Sequence, residues 1–85
     1  MINKQLVHNV ATFHNNYTNN KHIVATIQHF LGKSVGARFA YWSIGSDGYV
    51  DKLLFSVSKD IYTKEDYDNY VKEVNDKLNL INNDH

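Results

Sequence analysis

The sequence predicts a small α+β domain in the order helix, helix, β-hairpin, helix. Three observations carry this expectation. Apolar residues near both ends recur at helical spacing. Residues 37–57, ARFAYWSIGSDGYVDKLLFSV, alternate as two strands about a glycine-bearing turn. Residues 20–31, NKHIVATIQHFL, hold a helical stripe that stops at Gly32. The alternative order is helix, three-stranded antiparallel meander, helix, and it follows if 20–31 is a strand. At 85 residues the chain is expected to be one domain, 1–85, with a single core. A chain of this size buries about 60–65% of its unfolded surface, so its stability is modest.

The first helix is expected from Ile2 to His14. Ile2, Leu6, Val10, Phe13 and Tyr17 share one stripe at 100° per residue, and Lys4, His8, Ala11 and Asn15 lie opposite. HNNYTNN then supplies loop-forming asparagines. In 20–31, Ile23, Ile27, Phe30 and Leu31 make the helical stripe, while Ile23, Ala25, Ile27 and Leu31 fit a strand. The helix is the preferred reading.

The hairpin is expected to pair Val35–Ile44 with Tyr49–Ser58. A three-residue loop, Ser46-Asp47-Gly48, makes a type I turn closed by Gly48 in the left-handed region. Paired residue numbers then sum to 94, with Tyr41 opposite Leu53, Phe39 opposite Phe55 and Ala37 opposite Val57. The other face pairs Trp42 with Lys52, Ala40 with Leu54, Arg38 with Ser56 and Ile44 with Val50. A two-residue loop, Asp47-Gly48, would shift the register by one and mix the two faces. The last helix starts at an N-cap, Thr63, with Asp66 closing a capping box and Tyr62 and Tyr67 placed for a hydrophobic staple. Tyr67, Tyr70, Val71, Val74, Leu78 and Ile81 form its stripe, and residues 82–85 are expected to fray. Asp68–Lys72 and Glu73–Lys77 are spaced as ion pairs.

Composition narrows the function classes. The absence of Cys removes disulfides, thiolate metal sites and a Cys nucleophile. No signal-peptide core and no apolar run of membrane-spanning length is present, so the expected location is the cytoplasm, with no membrane partner. The formal charge of zero hides an asymmetry. Residues 1–46 hold Lys4, Lys21, Lys33 and Arg38 and no acid, while residues 47–85 hold nine acids and five Lys, which gives halves of +4 and −4. Richness in Asn, Lys, Ile and Tyr without Pro is what AT-rich coding produces, as in low-GC bacteria and their phages.

Tests for chemistry come out negative. Gly32-Lys33-Ser34 lacks the upstream Gly of a phosphate loop, since Ile27 stands there. The segment after Asp47 lacks the ligand order of a calcium loop. His22 and His29, on a helix, would sit roughly 10 Å apart, too far for one zinc ion. Ser43, Ser56 and Ser58 have no nucleophile elbow, and the carboxylates Glu65, Asp66 and Asp68 read as helix-end charges. The expectation is a non-enzymatic protein with no metal and no small-molecule cofactor.

Two binding readings remain. The first is a protein-binding module whose face is Trp42 as anchor, Arg38 and Lys52 as charged rim, and Ile44 and Leu54 with Ala40 as apolar area. Its partner is a larger protein occluded by a phage-type regulator or inhibitor, or a second copy joined through the hairpin. The alternative is a nucleic-acid-binding accessory protein using Lys4, Lys21, His22, His29, Lys33 and Arg38.

Overall fold

Ile23, Ala25 and Ile27 decide what the middle of the chain becomes. The structure, a computed structural model, describes residues 4–30 and 34–83, except the side chains of His29, Phe30 and Asn83. In place of the expected helix it shows a strand, β1 (Ile23–Phe30). The elements are α1 (Lys4–Asn15), β1, β2 (Ser34–Ile44), β3 (Val50–Ile61) and α2 (Lys64–Asn83). The class is α+β, and the meander is the order observed. Two physical terms favour the strand. Ile23, Val24, Thr26 and Ile27 are β-branched and lose side-chain freedom in a helix. As a strand, the segment also satisfies one edge of β2 over eight consecutive pairs, from Ile23↔Tyr41 to Phe30↔Ser34.

The sheet runs β1-β2-β3, all antiparallel. Both helices pack on one face of it. Leu6, Val10 and Phe13 of α1 meet Val35, Ala37 and Phe39 of β2, Val57 and Ile61 of β3, and Tyr70, Val74 and Leu78 of α2 in one cluster. Phe39 is fully buried at the centre. Its ring lies 6.1 Å from Phe13, 5.2 Å from Tyr17 and 6.2 Å from Phe55 between centroids. The opposite face of the sheet carries no element among the described residues.

The stripes of both helices face inward as the sequence indicates. Ile2, Leu31 and the helix stop expected at Gly32 lie outside the described residues. The loop after α1 closes through asparagines: His22 N–H donates to Asn20 Oδ1 at 2.9 Å, and Ile23 N–H to the Asn20 carbonyl at 3.2 Å. At α2, Asp66 N–H donates to Thr63 Oγ1 at 3.1 Å and Thr63 N–H to Asp66 Oδ2 at 3.2 Å, which completes the capping box. The acids of α2 choose other partners than those expected. Lys64 pairs with Asp68 at 3.0 Å, and Lys59 of β3 reaches Glu73 at 3.5 Å. Asn82 and Asn83 belong to α2 rather than to a frayed tail, and 84–85 lie outside the described residues.

The turn is the three-residue one. Gly45 N–H donates to the Tyr49 carbonyl at 2.8 Å, Gly48 sits at φ +85°, and Ile44 faces Val50. Beyond it the expected register fails. Shifts between Tyr41, Trp42 and Ile44 move the pairing by two residues. Tyr41 therefore faces Phe55, Phe39 faces Val57, Ala37 faces Lys59, and Trp42 faces Leu53. The bulge costs no core contact, because a slip of two keeps Phe55 and Val57 on the helix side. Lys52 N–H donates to Ser43 Oγ at 3.0 Å, so a hydroxyl replaces a ladder carbonyl at the second irregularity. Phe39→Ala is expected to lower stability by about 3–5 kcal/mol, because it empties the point where both helices and the sheet meet, and urea unfolding measures it.

Candidate functional site

The helices do not cover the whole hairpin. α2 begins just after β3 and runs back along it, and its last turn reaches Leu54 and Phe55. From there to the turn, residues 42–53 project as an arm. A row of stacked rings closes the core at its root: His22 on Tyr41 at 5.6 Å and Tyr41 on Phe55 at 5.7 Å. His22 is fixed further by Nδ1–H donating to the Trp42 carbonyl at 3.0 Å, while Trp42 N–H donates to the His22 carbonyl at 2.7 Å.

Apolar side chains stay in water on and beside this arm. Tyr49 is 74% exposed, Leu53 45%, Leu54 46%, and Leu80 of α2 69%. Leu54, Phe55, Lys77, Leu80 and Ile81 line a shallow cleft between β3 and the end of α2. Trp42 and Ile44 are half-buried, and Lys52 is exposed. The arm thus gathers Trp42, Ile44 and Lys52, and the bulge carries Leu54 into the α2 cleft rather than opposite Ala40. Ala40 instead faces Val24 and Ser56 and is buried.

Arg38 belongs elsewhere. It stands four residues before Trp42, about 13 Å along the strand. Thr26 and Ser58 flank it in register, and with Gln28, Gly36 and Asp60 it lines a polar depression on the open face. It makes no ion pair with a described residue. Leu80, Leu53 and Tyr49 are exposed apolar residues on or beside the arm that sequence reasoning left out of the candidate set. Leu80 carried a signal, as an apolar residue off the α2 stripe.

The alternative set is dispersed. Lys4 opens α1, a helix about 18 Å long, and Lys21 follows the loop after its far end. Residues 23–30 form a strand, so Lys21, His22 and His29 share no helix face. His22 is occupied at the arm root, the side chain of His29 lies outside the described set, and so does Lys33. No group of three or more His or acidic residues placed to hold a metal ion occurs among the described residues. No described helix is long and apolar enough to cross a membrane. Comparison with protein-family models, with curated proteins and with solved structures gave no match.

One polar pair sits inside the core. His14 Nε2 and the Tyr70 hydroxyl lie 2.8 Å apart, which ties α1 to α2. Phe13 and Phe39 pack around the imidazole, and its Nδ1 has no hydrogen-bond partner. Burial holds His14 below its ordinary value of 6.5 and pushes the Tyr70 hydroxyl up. His14 therefore binds its proton more readily in the unfolded chain. Stability on this account is fully present above about pH 6.5 and is lost as pH falls through the lower folded-state value. The urea midpoint is expected to drop between about pH 8 and about pH 5. His14→Gln should flatten that part of the profile.

Proposed function

We propose that the protein is a small protein-binding module that acts by occluding a surface of a larger protein, as a phage-type regulator or inhibitor does. The hairpin arm and the adjoining α2 cleft form its contact face. The observation that supports this most is the exposure of apolar side chains where the helices stop: Tyr49 and Leu53 on the arm, where Leu53 pairs with the half-buried Trp42, and Leu54 and Leu80 at the α2 cleft. An apolar cluster of this kind, rimmed by polar groups, marks an interaction site on a small soluble domain. Trp is also among the side chains most often found at binding hot spots. The charges are of mixed sign, with Asp47, Asp51 and Lys52 on the arm and Lys77 at the cleft. Burial of apolar area rather than charge pairing then supplies the affinity, and salt acts weakly on it.

The scattered positions of Lys4, Lys21 and Arg38 weigh against a nucleic-acid face, which needs cations tracking a backbone. Trp42→Ala combined with Leu53→Glu is expected to weaken capture of a partner protein at least 100-fold while the thermal transition moves by only a few degrees. Capture by the wild-type arm should change little between low and high salt. Binding of oligonucleotides that falls steeply with salt and is lost in Lys21→Glu would overturn the reading.

A further inference from the structure

The two edges of the sheet are unlike. β3 is a guarded edge: it carries Asp51, Lys52, Lys59 and Asp60, and the bulge at Leu53 and Leu54 breaks its line. β1 has none of these protections. Ile-Val-Ala-Thr-Ile-Gln-His-Phe contains no Lys, Arg, Asp, Glu or Pro, and it pairs with β2 over eight residues without a register shift. Its other side pairs with no strand among the described residues. The core is also unfinished there. Ile23, Ala25 and Ile27 point to the helix side yet stay half-buried, whereas Ala37, Phe39, Val57 and Ile61 on the neighbouring strands are buried.

We propose that β1 is the interface of a two-fold homodimer, in which two copies of β1 pair antiparallel and join two three-stranded sheets into one of six. A second copy fits this edge for a reason of charge. An uncharged strand meets its own image with no like-charge contact, and Lys21 at its start stays clear. With Thr26 facing Thr26 of the second copy, the two Lys21 residues lie about 33 Å apart, several Debye lengths at physiological salt. The same register sets Ala25 against Ile27 and Ile27 against Ala25 on the helix side, small against large, and closes the half-buried end of the core. Thr–Thr is itself a favourable cross-strand pair. The two-fold axis stands normal to the sheet, so both copies keep their helices on one face and α1 lies beside its mate. Six strands is an ordinary sheet size. This interface is separate from the arm, and it sends the two arms out at opposite ends of the joint sheet.

The test is light scattering of the intact chain from about 1 µM to about 1 mM, with Thr26→Lys as the variant. Thr26 is exposed on the open face opposite Arg38, so lysine meets one solvated cation in the monomer and gains a second, from its mate, in the dimer. The expected result is a wild-type mass rising to twice 9.8 kDa with concentration. Thr26→Lys is expected to associate at least tenfold more weakly, while the Arg38 cation opposite it lowers the monomer's thermal transition by only a few degrees. A wild-type monomer at the highest concentration overturns the proposal. A dimer that Thr26→Lys leaves intact but Leu53→Glu dissociates also overturns it, and moves the interface to the arm. If Thr26→Lys fails to fold, amide exchange on the wild type decides. Protection of the outward amides of β1 that grows with concentration supports the dimer, and protection independent of concentration overturns it.

Discussion

The structure depends on one constraint: its two described helices are both committed to a single face of the sheet. Phe39 marks the point they cover. It sits fully buried at the middle of the central strand, with rings from α1 and β3 around it. Covering that point requires α1 to cross β1 and β2 and α2 to run along β3. No described element covers the other face, where Thr26, Gln28, Arg38, Ser58 and Asp60 line a polar depression. An antiparallel sheet tolerates a wetted face of this kind.

The same constraint explains the arm. β2 and β3 are longer than the helices that cover them, and the stacked His22, Tyr41 and Phe55 rings end the dry region. Past this collar, apolar residues no longer serve the core. Leu53, Leu54 and Tyr49 therefore have a different physical status from Val57 or Ile61, although all of them look alike in a hydropathy pattern. The buried His14–Tyr70 pair is the converse case, a polar contact placed inside where it ties the two helices.

Much of this was legible in the sequence, and the failures have separable causes. The capping box of α2, both helical stripes and the Ser46-Asp47-Gly48 turn follow from local chemistry, and they appear as read. Residues 20–31 misled because Ile23 and Ile27 satisfy both periods. The choice was made by an unpaired edge of β2, a tertiary demand that no local window contains. The register beyond the turn failed for a related reason. A bulge at Leu54 leaves no residue signature, and only the need to place Phe55 and Val57 over the core reveals it. Of the candidate site, Trp42, Ile44 and Lys52 stay together on the arm. Arg38 separates because face alternation says nothing about distance along a strand.

The bulge has a consequence for how such a protein diversifies. Register on the core side is set by Phe39, Tyr41 and their partners, and register at the tip is set by the Gly48 turn. The irregularities between them absorb any mismatch. The hairpin can then be lengthened, shortened or replaced beyond Tyr41 and Phe55 without moving a core side chain. That makes the arm an interchangeable part. Lineages descended from one scaffold could meet quite different partners while their folded bodies stayed nearly the same.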